Sequence, residues 1–271
     1  MRAMFRWRTP PVPAVPAASY TLPAPTFPIS RSDFLRRHLL PPLALLAAAS
    51  AVLVFGHGDL WLADLLYRAE GGQWGLRDAW LTSHLVHRGG KNLSTLAALL
   101  VMLALLRACF DAPWKPLRRP LLYLLLAVGL STGVVALLKS MTQMDCPWDL
   151  QRYGGLRPFI SLWQSRPVML GHAACFPAGH ASAGYAWVAL YFFALRLRPQ
   201  WRWHALGTAL AAGLVFGISQ QLRGAHFLSH DLGSLAVSWS VAVVLYLMMF
   251  PATALQPRDL AALACTARGH A

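Results

Sequence analysis

Six apolar runs, approximately Leu39 to Phe55, Leu93 to Ala108, Leu121 to Leu138, Ala181 to Leu195, Ala205 to Ile218 and Leu232 to Phe250, recur along this chain. A helix crossing a bilayer needs about 20 consecutive, mostly apolar residues, so a chain that repeats such runs leaves no stretch for a separate soluble fold. The expected class is all-α, a six-transmembrane helix bundle. The fourth and fifth runs fall short of that length, but polar neighbours such as His180, Ser182 and Gln220 can extend them where helices face one another instead of lipid. Short apolar runs with polar ends place a site there. Composition agrees: 56% of residues are hydrophobic and 13% charged, whereas about a quarter are charged in soluble domains. A lone soluble enzyme is excluded.

Seven prolines within residues 1–30, from Pro10 to Pro28, remove backbone donors too often for a helix or central strand. Residues 1–34 are therefore expected to form a disordered tail, residues 35–252 the membrane domain and residues 253–271 a second tail. The tail carries Arg2, Arg6 and Arg8 but no apolar stretch of the kind a cleaved signal peptide requires, so the first span is expected to be the targeting signal. Between the first two spans, Trp61, Trp74, Trp80 and the alternating sequence DAWLTSHLVH suit interfacial helices in the headgroup layer. Counting charge on alternate sides of six spans gives 15 Lys plus Arg against 3 Asp plus Glu on the side of both termini, and 9 against 7 on the other. The positive-inside rule then makes both termini cytoplasmic and puts the loops 56–92, 139–180 and 219–231 on the outer face. This distribution also accounts for the net charge of +14 without a nucleic-acid partner.

Three polar clusters meet on that outer face: Lys139 with KSMTQMDCPWDLQRYGG, then CFPAGHAS, then SQQLRGAHFLSHD. Ionisable groups at membrane helix ends are costly to bury, and convergence of three clusters marks a functional site. Cys146 and Cys175 fall on the same side, where an oxidising compartment permits a disulfide; two unpaired thiols are the alternative. Such a bridge would close a loop of about 30 residues, worth roughly 3 to 4 kcal/mol in chain entropy.

On these clusters the sequence resembles the type 2 phosphatidic acid phosphatase superfamily of integral membrane lipid phosphatases, over about residues 39–250. The family's Lys, six residues, Arg-Pro becomes Lys139, six residues, Cys146-Pro147; its Pro-Ser-Gly-His becomes Pro177-Ala178-Gly179-His180; and the histidine of its third motif is His226. Four positions depart. Cys146 and Gln220 stand where the family has arginines, Ala178 where it has serine, and His230 where it has aspartate, with Asp231 one residue further on. The resemblance implies a phosphohistidine mechanism with His226 as nucleophile and His180 as the acid for the leaving oxygen. His230 or Asp231 would orient the nucleophile. Lys139, with Gly179, Ala178 and His180 at a helix start, would bind phosphate, and Arg223, Arg152 or Arg166 would replace the missing arginines. It further implies no metal or cofactor, and a location in the bacterial inner membrane with the site facing the periplasm.

The chemistry stands apart from the family name. A phosphate ester carries two or more negative charges, which cations and free helix-start N–H groups can offset as charge spreads in the transition state. A site among lipid-facing helices implies a phosphorylated lipid as partner: undecaprenyl pyrophosphate, phosphatidic acid, phosphatidylglycerophosphate and lipid A all qualify, and transfer of phosphate from undecaprenyl pyrophosphate to lipid A is the same chemistry with another acceptor. Two other classes compete. His226 and His230 have the i, i+4 spacing of zinc ligands, with His180 or Asp231 to complete a site, although the glutamate of HExxH is absent. A non-catalytic binding or transport protein would also suit six helices. His84 and His87, three apart, read as amphipathic interfacial histidines.

Overall fold

The computed structural model describes residues 30–161 and 164–250, nearly all helical. The expected tails lie mostly outside those residues. The N-terminal one ends earlier than expected, because Arg31–His38 is already a helix, α1, whose start is capped by Ser30 accepting from the Asp33 N–H at 3.1 Å. Phe34 on α1 is buried and stacks 5.3 Å from Tyr246.

Leu40–Phe55 (α2) follows, then Gly58–Ala69 (α3) between the first two spans. The DAWLTSHLVH segment behaves differently from the expected interfacial helix. Trp80–Gly89 is π-helical and runs directly into Gly90–Phe110 (α4), so the second span begins at Trp80. Then come Arg118–Thr142 (α5), Gly179–Tyr185 (α6), Ala189–Leu197 (α7), Arg202–Leu222 (α8) and Leu228–Met249 (α9). Among the described residues, five helical stretches are long and apolar enough to cross a membrane: 31–55, 80–110, 112–149, 199–222 and 228–249.

The fourth apolar run is the exception, and its surroundings explain why. Gly179–Leu197 forms α6, a 3-10 turn at Ala186–Val188 and α7, with neighbours on nearly every side. A helix encased in protein needs no greasy lipid-facing stripe, and small residues such as Ala181, Ser182, Gly184 and Ala189 let its neighbours close in. A Cβ built on Gly184 would lie 2.5 Å from the Gly213 nitrogen, and one on Gly213 would collide with the Tyr185 ring. The α6 and α8 backbones therefore touch.

Below the site the core gathers Tyr123, Val188, Phe192, Trp239 and Val243. Its aromatic polar atoms find partners within the bundle, as a membrane interior favours: the Tyr123 hydroxyl donates to Ala242 O at 3.1 Å, and Trp187 Nε1 donates at 2.9 Å to Ser94 Oγ, which donates in turn to Ala183 O at 2.9 Å. The last two bonds clip α4 to the buried helix.

Over the outer helix ends lies the loop 143–178. Asp145, buried, accepts from Arg157 Nη1 at 2.6 Å and from Arg166 Nη1 at 2.5 Å. Arg152 grips Asp64 of α3 through Nε at 2.7 Å and Nη2 at 2.5 Å, with the Tyr153 hydroxyl on the same carboxylate at 2.9 Å. These bonds hold the Asp64 carboxyl below the usual carboxylate range, the Arg152 hydrogen bond being the largest cause. Cys146 and Cys175 are disulfide-bonded, with Cα atoms 5.3 Å apart.

Candidate active site

Lys139 sits in the last turn of α5, which stops at Gln143 in a left-handed conformation. From there the loop returns to Ala178, which caps α6, and the disulfide ties the two ends of that excursion together. Gly179 is the first residue of α6, close enough to Lys139 that a Cβ on it would lie 3.6 Å from Nζ. The first-turn N–H groups of Gly179 and His180 have no intrahelical partners, so they and the ammonium address the same point.

The third cluster is aimed by the turn between α8 and α9. Gly224 adopts φ +67°, which L side chains rarely adopt, and Trp74 occupies the space a side chain would need. The turn closes with Gly224 N donating to Gln221 O and Ala225 N to Gln220 O, both at 2.9 Å. His226 follows, buried, and Asp59 of α3 fixes the start of α9 by accepting from the Ser229 N–H at 3.0 Å. Burial pushes the Asp59 carboxyl up, while hydrogen bonds from Ser229 and the Leu228 backbone pull it back.

His226 Nδ1 lies 3.4 Å from His230 Nδ1. Of the two orienting candidates, His230 therefore reaches the ring. Asp231 is turned toward α8, where its Oδ2 accepts from Gln221 Nε2 at 2.6 Å. Burial holds the His226 imidazole well below the usual histidine range, and the positive fields of His230 and Lys139 add to this against a hydrogen bond to the Cys175 backbone. His226 is thus neutral near pH 7.

These residues open onto a cavity of about 720 Å³ that runs from the outer helix ends down between α4 and α5. Its walls include Lys139, Gly179, His180, Arg223 and His226, and also His87 and Lys91 from the second span. None of the lining residues is a carboxylate. The His87 ring packs on His180 with centroids 4.2 Å apart, and Gln220 Nε2 meets His87 Nδ1 at 3.2 Å.

Other expected phosphate ligands lie elsewhere. Arg152 and Arg166 do not line the cavity; their guanidinium groups are occupied by Asp64 and Asp145. The Ala178 N–H donates to His230 O at 3.1 Å, so it is committed within the fold. Arg223 does reach the cavity, held by Nε donating to Arg77 O at 2.7 Å. His87 and Lys91 escaped the sequence reading because that segment was assigned to the membrane surface. As ionisable groups at the head of a span they carry the signal that could have found them. His84 is exposed and outside the cavity. Among the described residues, no group of three His, Cys, Asp or Glu side chains could hold a metal ion, so the zinc arrangement of His226 and His230 lacks its third ligand.

The fold and cavity define a multi-pass helical membrane protein with a polar, cation-lined chamber at one end of the bundle. This chain belongs to the PAP2 superfamily, whose family model matches residues 120–254. It is also similar to the crystal structure of the first transmembrane PAP2 type phosphatidylglycerolphosphate phosphatase from Bacillus subtilis, at 17% identity over 81% of this chain and 94% of that chain, with a TM-score of 0.46. No curated protein matches it.

Proposed function

We propose that this protein is a membrane lipid phosphatase working through a phosphohistidine on His226. One observation carries the reading: a single cavity collects a buried histidine, a second histidine at a helix start, and Lys139 and Arg223, with no carboxylate among its lining residues. That chamber suits a phosphate dianion.

The steps follow from the contacts. Arg223 Nη1 donates to Gln220 Oε1 at 3.3 Å. The mechanism uses the His226 tautomer with its proton on Nδ1, 3.4 Å from His230 Nδ1, which leaves the Nε2 lone pair free to attack phosphorus. Lys139, Arg223 and the Gly179 and His180 N–H groups hold the non-bridging oxygens. His180 protonates the departing oxygen as the P–O bond breaks, and a water then cleaves the N–P bond to release inorganic phosphate. His230 replaces the family's aspartate with a weaker acceptor but keeps the ring oriented. Both termini are assigned to the cytoplasm and the chamber to the periplasmic side of a bacterial inner membrane, on the charge distribution. The substrate is a lipid phosphate or diphosphate because the cavity continues between lipid-facing helices.

Purified protein in detergent, assayed for phosphate release from phosphatidic acid, phosphatidylglycerophosphate, lipid A and undecaprenyl pyrophosphate with and without chelator, tests the proposal. Release that survives chelation and is lost in His226→Ala is expected. Chelator-sensitive release, or none from any of these lipids, overturns it.

A further inference from the structure

Beside Arg223, which the mechanism above uses, His87, Lys91 and Gln220 form an arrangement that it does not require. Gln220 sits between a group that can only donate and a ring that can do either. Arg223 Nη1 donates to its Oε1 at 3.3 Å, which fixes the amide with oxygen toward the guanidinium and nitrogen toward His87. The amide N–H then donates to His87 Nδ1. A neutral His87 consequently carries its proton on Nε2, so a donor is offered by a residue of the cavity wall. Lys91 follows at i+4, about 6 Å further along the same helix, and it also lines the cavity. Arg223 makes no ion pair, and its Nη2 has no hydrogen-bond partner among the described residues.

The cavity wall thus holds three cationic side chains, Lys91, Lys139 and Arg223, and no carboxylate. A phosphomonoester dianion at His226 is matched by Lys139, the helix-start N–H groups and one further cation. Lys91 is left over. Its position is informative: down the second span the lining runs from His87 and Lys91 to Ser94, Thr95 and Ala98, and down α5 from Lys139 to Ala136, Val128 and Leu125. The polar end is the reacting end and the apolar end is the tail end. Lys91 lies between them, beside the part of a lipid headgroup that adjoins the tail.

From this we infer that His87 and Lys91 form a second anion subsite, joined to the first by Arg223, and that the substrate is a lipid diphosphate, its distal phosphate at His226 and its ester-linked phosphate on His87 and Lys91. The inference rests on the phosphatase reading and narrows it. In the reaction, His226 Nε2 bonds to the distal phosphorus and the bridging P–O bond breaks toward the lipid side. The bond's electron pair stays on the departing lipid monophosphate. That group, with a second pKa of about 6, leaves with less need of a proton than an alkoxide, and the charge it gains falls on Lys91, Arg223 and the His87 Nε2–H. Water then releases the distal group as inorganic phosphate.

Farnesyl diphosphate and farnesyl monophosphate share a tail and differ only in the second phosphate, so they isolate the subsite. With the purified full chain in detergent, kcat/KM for the diphosphate should exceed that for the monophosphate at least about tenfold, and Lys91→Met should reduce this ratio about tenfold while Lys91→Arg retains most of it. In the unsubstituted protein, inorganic pyrophosphate should inhibit at lower concentration than inorganic phosphate, a measurement that needs no variant. Equal turnover of the two lipids, a ratio unmoved in a well-folded Lys91→Met protein, or pyrophosphate inhibiting no better than phosphate would overturn the subsite and leave the phosphatase standing. Turnover of neither lipid, with no phosphate released from the wider lipid panel, would overturn both.

Discussion

The outer loop and the cavity beneath it hold the same kinds of cation in opposite circumstances. In the loop every arginine has a carboxylate: Arg152 has Asp64, and Arg157 and Arg166 share Asp145. In the cavity Lys91, Lys139 and Arg223 form no ion pair among the described residues, and no carboxylate stands in the wall beside them. A paired ion has its charge satisfied within the fold and serves to fasten chain to chain. An unpaired one that is also partly buried, as Lys139 and Arg223 are, costs free energy that a bound anion would recover. Pairing therefore separates the cations that build the roof from those that face a ligand, a distinction the residue types alone do not give.

The comparison is broken most directly from the cavity side. His226→Ala should lower phosphate release at least about a thousandfold, or about 4 kcal/mol at 1.36 per decade, with little change in melting temperature; near-normal release from a folded variant would end the histidine mechanism. The pH profile sharpens the same point. Only the neutral imidazole attacks, and a lowered pKa keeps it neutral as pH falls, so the acid limb of kcat/KM assigned to His226 should lie below the ordinary histidine value of about 6.5. An acid limb at or above that value, absent from the other titrating groups, would contradict the buried geometry.

Next in size is the roof. Asp145→Ala strands two guanidinium groups, one of them almost wholly buried, and should cost about 3 kcal/mol of stability, read as a lower melting temperature in detergent. Activity per folded molecule should fall far less than stability. The reverse pattern would make Asp145 part of the chemistry and erase the distinction.

Arg223→Lys tests the cavity at finer grain. It keeps the charge but cannot hold Arg77 O and Gln220 Oε1 together while presenting a further N–H, so a loss of about tenfold in kcat/KM is expected. Unchanged kinetics would show that charge alone suffices there.

The smallest effect belongs to Arg152→Ala, since the Arg152–Asp64 pair is half exposed: less than about 1 kcal/mol of stability and no loss of turnover. The folded Asp64 carboxyl titrates below its unfolded value, so its contribution is complete above about pH 4 and disappears as pH falls through the lowered folded value. The variant and the parent should accordingly converge in stability under acid conditions. A constant gap across pH would assign the effect to packing.

Much of this was legible beforehand because apolar runs and motif spacings are properties of the chain itself. Lys139, Gly179, His180 and His226 could be placed together from spacing and common membrane side. What could not be read were choices made by neighbours distant in sequence. Arg152 is committed by Asp64, 88 residues away, and Arg166 by Asp145, so as residues of a loop they looked as eligible as Arg223. His230 rather than Asp231 meets His226 because Gln221 takes the aspartate. The fourth apolar run is short of apolar residues because α6 and α7 face protein. The second was started too late because the histidines and Arg88 at its head disguised a continuous helix.

The backbone contact between Gly184 and Gly213 works as the pivot of a caliper. One jaw, α6, ends at His180, and the other, α8, ends at Gln220 and the turn to His226, so the gap between acid and nucleophile is gauged where two residues lack a methyl group. Any side chain introduced at that pivot would spread the jaws, and the error would grow along each helix toward the chemistry. Tuning the chamber for a bulkier headgroup therefore need not begin among the reacting groups; it can begin one to two helical turns below them, at a position that touches no substrate.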